Sequence, residues 1–139
     1  MAQTRWLNRQ EFVVVGWSDS EGMRPHLGAL LLGYYIDDGK LIYAGRVGTG
    51  MSDKALADLR RRLEPLSRAK SPLSVPPPRK TRFGSPLVLS RVHWLEPKLV
   101  AEITYLTWTA DNMLTHTVYV GLREDKPAEQ VRREAARGH

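Results

Sequence analysis

The chain has 139 residues, with 21 lysines and arginines against 15 aspartates and glutamates, so its formal net charge is +6 at pH 7. This length predicts one domain with its own core. The absence of cysteine excludes disulfides and cysteine-ligated metal sites, and the four scattered histidines argue against a His-rich metal site. No apolar run is long enough for a membrane-spanning helix, and the first residues lack a signal peptide's apolar core. We therefore expect a soluble intracellular protein.

The basic charge is concentrated in residues 65–95, which contain no acidic side chain but six cations: Arg68, Lys70, Arg79, Lys80, Arg82 and Arg91. The rest of the chain is balanced. A local basic segment indicates a polyanionic partner, usually a nucleic acid. A solvated loop that keeps the protein soluble explains the same pattern equally well.

Three strands are predicted first, at residues 11–17, 27–36 and 40–47, and the Asp-Gly turn at residues 37–39 makes the second and third a hairpin. A break at residues 48–50 precedes a helix. Ser52 is its predicted N-cap, Pro65 ends it, and one helical face carries Ala55, Leu56, Leu59 and Leu63.

Residues 65–91 form a long connection rich in proline and serine, which is either mobile or functional. Two more strands are predicted at residues 99–108 and 115–122, and Pro127 begins a short helix and tail over residues 127–139. The fold class is therefore all-β with one or two helices. We expect residues 1–139 to be a single five-stranded OB-fold barrel, with a helix between strands 3 and 4 and a short C-terminal helix.

The densest polar cluster is Arg123-Glu124-Asp125-Lys126, at the end of the last predicted strand. Cations of this kind hold phosphate oxygens, and the carboxylates can orient the lysine or help to position a divalent metal. Spacing alone favours a charged helix start on a solvated surface. Gly48-Thr49-Gly50 is more simply a strand-to-helix turn than a phosphate-binding loop, and the four tryptophans are more often core residues than base-stacking platforms.

Several strings together resemble the C-terminal OB domain of bacterial ATP-dependent DNA ligases, and most closely the ligase module of multidomain end-joining enzymes. The resemblance covers residues 5–133. The strings are RQEFVVVG (9–16), LGALLLGYY (27–35), YAGRVGTGM (43–51), LEPKLVAE (95–102), TWT (107–109) and VGLREDKPA (120–128).

The resemblance implies a role in a three-step reaction. A lysine of an upstream nucleotidyltransferase domain attacks the α-phosphate of ATP, AMP passes to the 5′-phosphate of a nick, and the 3′-hydroxyl then displaces AMP. That lysine lies in a KxDG motif, which this chain lacks. The isolated chain is therefore expected to be inactive alone. The family's RxDK motif, which orients pyrophosphate as the leaving group, corresponds here to Arg123, Asp125 and Lys126.

The resemblance also implies partners and cofactors. The full enzyme uses ATP and Mg²⁺, whereas this chain alone is expected to bind no cofactor and no metal. Nicked or broken duplex DNA and the upstream domain are the expected partners, with no membrane, in a nucleoid-associated cytoplasmic protein. The expected DNA-binding residues are Arg5, Arg24, Arg46, Arg79, Lys80 and Arg82.

One departure is found before the first strand, where the family carries lysines and this chain reads Gln3-Thr4-Arg5-Trp6. Arg5 matches a lysine in charge, but a planar guanidinium and a compact ammonium are not equivalent around phosphate. Two alternatives from other classes stay open. One is a stand-alone nucleic-acid-binding module without a catalytic role, and the other is a protein-interaction domain that docks on end-joining partners.

Overall fold

The computed structural model describes residues 8–19, 27–75, 77 and 91–133. Within these residues lie one α-helix, α1 (Asp53–Leu63), and 3-10 turns at Glu64–Leu66 and Ala128–Gln130. The seven strands of the described part are β1 (Asn8–Ser18), β2 (Ala29–Tyr35), β3 (Leu41–Val47), β4 (Ser67–Arg68), β5 (Val92–Leu95), β6 (Val100–Tyr105) and β7 (Val118–Leu122). The predicted mostly-β class is confirmed, and α1 follows the third strand as expected.

The long strand β1 is the centre of the antiparallel sheet. One edge pairs with β2. The other edge pairs with β6 over residues 8–13 and with β5 over residues 16–18. The apolar run of β1, from Phe12 to Val15, is also buried on both faces. This explains why its sequence is nearly continuous in valine rather than alternating.

The hairpin β2–β3 forms as predicted. The amide of Gly39, at φ +84°, donates to the carbonyl of Ile36 at 2.9 Å and closes the turn. The register of the two strands shifts between Leu32 and Gly33, opposite Gly45. A shift of this kind bends a strand pair and increases its twist.

Helix α1 begins and ends as its sequence indicates. The Ser52 hydroxyl accepts a hydrogen bond from the amide of Ala55 at 3.1 Å, which satisfies one of the unpaired amides of the first turn. The apolar face is in the core, with Leu56, Leu59 and Leu63 buried. After Leu63 the chain tightens into the 3-10 turn that contains Pro65, so the α-helix does stop there.

No ladder joins β3 to β7 within the described parts of the chain, so the sheet is not closed as a barrel. Individual hydrogen bonds cross the gap instead. The amide of Leu114 donates to the carbonyl of Ala44 at 2.9 Å, and that of Tyr119 donates to the carbonyl of Thr49 at 2.8 Å. The Thr117 hydroxyl donates to the carbonyl of Arg46 at 2.9 Å.

The predicted C-terminal helix forms only one 3-10 turn in the residues described, after which Val131 returns to extended backbone. The reason is tertiary pairing. The carbonyl of Val131 accepts from the amide of Tyr35 at 2.9 Å, and that of Arg132 accepts from the buried amide group of Gln10 at 2.9 Å. These bonds replace the helical ones, and residues 134–139 lie outside the described residues.

Strands β4 and β5 are absent from the prediction. They are only 2 and 4 residues long, too short to show a periodic pattern, and β5 exists because β1 offers it a free edge. About half of the predicted 65–91 connection, residues 76 and 78–90, lies outside the described residues. No helix in the described part of the chain is long and apolar enough to cross a bilayer.

Alanine substitutions at three glycines distinguish the cost of a left-handed backbone from the cost of a steric clash. Gly50 has φ +96°, and a Cβ there would lie 2.6 Å from the carbonyl oxygen of Tyr119. We expect Gly50→Ala to lower the free energy of unfolding by more than about 2 kcal/mol, from left-handed strain plus overpacking. Chemical denaturation of the purified chain measures this loss.

Gly39 and Gly121 are the matched controls. Gly39 has φ +84° but open space, and Gly121 has open space and no positive φ. We expect Gly39→Ala to cost about 1 kcal/mol and Gly121→Ala to stay within about 0.5 kcal/mol. Equal losses at Gly50 and Gly39 would contradict the close approach of Tyr119.

Candidate functional site

The REDK motif, residues 123–126, directly follows β7 and precedes the 3-10 turn. The backbone amide of Arg123 donates to the carbonyl of Val100 at 2.8 Å, which ties the start of the motif to β6. Downstream, Ala128 and Val131 are buried in the core. The motif is thus held at both ends and is not the first turn of a surface helix.

Within the motif, Arg123 and Asp125 form a bidentate pair. The guanidinium donates from Nε to Asp125 Oδ1 at 3.0 Å and from Nη2 to Oδ2 at 3.1 Å. The pair fixes the plane of the guanidinium, which a single contact would not do. Asp125 is 70% exposed, so we assign the pair a role in orientation and little stability.

A second carboxylate, Glu11 of β1, binds both cations of the motif. Arg123 donates from Nη1 to Glu11 Oε2 at 3.0 Å, and Lys126 donates from Nζ to Oε1 at 3.2 Å. Its side chain is only 18% exposed. One carboxylate therefore brings Arg123 and Lys126 together, although they come from a turn and Glu11 from a strand more than 100 residues earlier.

Glu102 of β6 lies directly opposite Glu11 in the β1–β6 ladder. Like charges placed opposite each other destabilise a sheet unless cations compensate them. Here Glu102 is paired with Arg9 and lies 3.7 Å from Nη1 of Arg123. The six side chains balance, with three positive and three negative: Arg9, Arg123, Lys126, Glu11, Glu102 and Asp125.

Glu124, the remaining motif residue, faces helix α1. Its carboxylate accepts from Arg62 Nη1 at 2.9 Å, and this hydrogen bond lowers the pKa of Glu124 and raises that of Arg62. The hydrogen bond from Arg123 likewise lowers the pKa of Asp125, and the pKa of Arg123 is raised in return. Adjacent carboxylates thus belong to two separate ion pairs.

A cavity of about 380 Å³ opens beside the motif. Its lining carries two lysines and three carboxylates: Lys98, Lys126, Glu124, Asp125 and Glu129, with Pro127 and Ala128 between them. A polar cleft of this composition can accept a charged group that exchanges with the ion pairs. No group of three or more metal-binding side chains is placed to hold an ion within the described ranges.

The expected DNA-binding residues are mostly beyond the described residues, because Arg5, Arg24, Arg79, Lys80 and Arg82 all lie outside them. Arg46 is described. It is partly buried on β3, opposite Leu31 of β2, and its carbonyl holds the Thr117 hydroxyl. The strand therefore fixes its backbone on the β3 side of the gap that separates β3 from β7.

The tryptophans that the structure describes pack within the protein. Trp17 is buried, with His93 stacked at 4.0 Å and the Arg60 guanidinium at 4.3 Å from its ring. Trp108 makes edge-to-face contacts with aromatic rings of the core, and Arg133 lies 4.0 Å from its centroid. Their rings are core and surface-packing elements rather than platforms for bases, and Trp6 lies outside the described residues.

Sequence reasoning missed Glu11, Glu102 and Arg9. A signal was present, since Glu102 is an acidic residue between the apolar residues of β6 and Glu11 is the acidic residue next to the apolar run of β1, and an unpaired charge at either place is costly. The pattern shows that a cation must be near each carboxylate. It does not identify Arg123 and Lys126 as those cations, because only the pairing of β1 with β6 brings them together.

Comparison with known proteins gives a consistent result. A sequence model of the family described as the ATP dependent DNA ligase C terminal region matches residues 23–126. The multifunctional non-homologous end joining protein LigD of Pseudomonas aeruginosa is 45% identical over 133 residues, 94% of this chain and 15% of that protein. LigD of Mycobacterium tuberculosis strain H37Rv is 41% identical over 128 residues, 91% of this chain and 16% of its own length.

Solved structures agree with the sequence matches. The ligase domain of M. tuberculosis LigD superposes with a TM-score of 0.80 at 39% identity, covering 92% of this chain and 39% of that one. A mycobacterial DNA ligase D complexed with ATP and MES gives 0.75 at 38% identity, covering 92% and 38%. The chain spans only 15% to 20% of the length of the curated relatives it matches.

Because Asp125 and Glu124 pair with different arginines, we expect their pKa values to respond to different substitutions. The pKa of Asp125 is below its ordinary value of 3.8 in the folded chain, so its pair with Arg123 stabilises the fold above that value and is lost as the pH falls through the lower, folded pKa. In Arg123→Gln, a pH titration followed by carboxyl-carbon NMR should show the pKa of Asp125 returning toward 3.8.

Glu124 provides the crossed control. Its pKa should rise toward the ordinary value in Arg62→Gln, because Arg62 is its hydrogen-bond donor, and should be unaffected by Arg123→Gln. If either substitution shifted both carboxyl groups equally, the motif would be one coupled network and the assignment of two independent pairs would be wrong.

Proposed function

Because the chain belongs to the family of C-terminal regions of ATP-dependent DNA ligases, we propose that it works as the OB domain of such an enzyme. In this role it closes over the nucleotide site while the upstream lysine is adenylated, and it binds nicked duplex DNA during strand sealing. One observation carries the proposal. Arg123 and Lys126 lie within hydrogen-bond distance of the same carboxylate, so the fold already places two cations around one anion.

The proposed chemistry of the first step is nucleotidyl transfer. The lysine nitrogen of the upstream domain forms a bond to the α-phosphorus, and the bond to the bridging oxygen of pyrophosphate breaks. Negative charge develops on the β-phosphate oxygens as they leave. Arg123 and Lys126 neutralise that charge, and Asp125 holds the guanidinium in the orientation that two parallel hydrogen bonds allow.

Magnesium enters no step assigned to this chain. The carboxylates of the site each accept hydrogen bonds from arginine or lysine, so they do not fit a cation site in this arrangement. ATP is a substrate that the upstream nucleotidyltransferase domain binds, and this chain meets it only when the two domains close.

The adenylation role is tested in trans. The chain is mixed with a separately expressed ligase nucleotidyltransferase domain, shown to be competent when joined to its own OB domain, and labelled ATP. We expect wild type to speed formation of the lysyl–AMP adduct. The Asp125→Ala, Lys126→Ala double variant should lose about 100-fold or more of that acceleration, as for removal of groups that stabilise transition-state charge.

Lys54→Ala is the matched control, since it removes one exposed lysine from the first turn of α1. It should retain the wild-type rate. If neither wild type nor the double variant changes the rate of adduct formation, the adenylation role is wrong; if both speed it equally, the roles of Asp125 and Lys126 are wrong. Tight salt-dependent binding to nicked duplex would then favour the stand-alone nucleic-acid-binding module.

DNA binding is tested at Arg46, the candidate that the structure describes. Contacts to the phosphate backbone supply affinity without sequence preference. We expect Arg46→Ala to weaken binding to a nicked duplex uniformly across sequences and to lower the slope of log K against log salt by about 1. Fluorescence anisotropy at several salt concentrations measures both.

Arg61→Ala removes the same charge from a side chain of α1 that is paired with Asp58. The proposal requires a smaller effect at Arg61 than at Arg46. Equal effects would assign the loss to net charge rather than to a contact made from β3.

A further inference from the structure

We propose that Glu11 is the resting counter-ion of the REDK motif and occupies the position that an incoming polyphosphate must take. Its two oxygens bind two different cations, Lys126 at 3.2 Å and Arg123 at 3.0 Å. This inference rests on the proposed function, because it names what holds the motif when no nucleotide is bound. Glu11 is a positioning residue and touches no reacting atom.

Geometry divides the donors of Arg123 into two sets. Nε and Nη2 face Asp125, and Nη1 donates to Glu11, with Glu102 farther from the same nitrogen at 3.7 Å. Losing Glu11 would therefore leave the Arg123–Asp125 pair intact while making Nη1 and the Lys126 ammonium available. Those are the two donors that a phosphate group could engage without disturbing the orientation set by Asp125.

The charge balance of the network also indicates that the phosphate exchanges with Glu11. With three cations and three carboxylates, the network has no net charge, so it does not attract a polyanion as it stands. A phosphate oxygen can bind tightly only where a carboxylate gives up its cations. Glu11 binds both cations, so exchange at Glu11 frees two donors, whereas exchange at Asp125 frees only the guanidinium.

The carboxylate itself stays in place. Glu11 is on β1, its backbone is paired with Glu102 in the ladder, and its side chain is largely buried. Lys126 has a flexible four-carbon stem and lies in a turn, and Arg123 is also long. The cations therefore move from Glu11 to the phosphate, and they return to Glu11 when pyrophosphate leaves.

The experiment measures binding of metal-free tripolyphosphate to the full chain by calorimetry at low ionic strength. Glu11→Gln keeps the size of the side chain and removes its charge. We expect it to bind tripolyphosphate about tenfold more tightly than wild type, because an internal competitor for two cations is gone. Glu64→Gln removes the same charge from the pair that Glu64 forms with Arg60 at the end of α1 and should change affinity less than about twofold.

A double-mutant cycle separates competition from a structural effect. If the gain runs through the freed lysine, Glu11→Gln should tighten binding by less than about threefold in a Lys126→Ala background. Amide NMR spectra of each variant report whether the fold is retained. Glu11→Asp retains the charge but is one methylene shorter, so it reaches the two cations less well. Its affinity for tripolyphosphate should lie between those of wild type and Glu11→Gln.

An unchanged, weaker or unmeasurable affinity of folded Glu11→Gln overturns the proposal, because the freed cations would then not form an anion site. A gain that persists fully without Lys126 also overturns it. These outcomes are independent of the adenylation assay. Wild type could fail to speed lysyl–AMP formation while Glu11→Gln still tightens tripolyphosphate binding, and the reverse combination would reject only the role of Glu11.

Discussion

Strand β1 is hydrogen-bonded along both edges, and the other elements take their positions from it. At Val13 it pairs with β2 on one side and β6 on the other, and at Gly16 with β2 and β5. β5 and β6 are effectively one strand that follows the same edge of β1, interrupted near Pro97, which has no amide to donate. This double pairing satisfies the backbone of β1 along both edges and places Glu11 opposite Glu102.

The acidic pair then decides where the motif can lie. Two carboxylates facing each other across a ladder require cations nearby, and Arg9, Arg123 and Lys126 supply them. In each pair the carboxylate is largely buried, while the cation is partly or mostly exposed. The pairs serve to position the cations, because a phosphate-binding cation must be held in one place before the phosphate arrives. A carboxylate oxygen accepts from the cation the same kind of hydrogen bond that a phosphate oxygen accepts.

The open side of the sheet and the C-terminal segment complete the frame. Hydrogen bonds from residues 114–119 to carbonyls at Ala44, Arg46 and Thr49 hold β7 against β3 without a ladder. Beyond the motif, Val131 is buried and Gln10 binds the carbonyl of Arg132. The motif therefore lies between two anchored stretches, while its side chains stay exposed enough to exchange partners.

The sequence by itself determined the β-rich class, the β2–β3 hairpin, and the N-cap and end of α1. These depend on neighbouring residues: an Asp-Gly turn, a serine three residues before a free amide, a proline. The REDK motif is a candidate site only through the resemblance to ligase C-terminal domains, because its run of charges alone favours a solvated surface. Tertiary structure alone decided the short strands β4 and β5, the replacement of the C-terminal helix by pairing with β2, and the Glu11 bridge. These features join residues up to about 120 positions apart, and no local pattern records which distant backbone or carboxylate will be the partner.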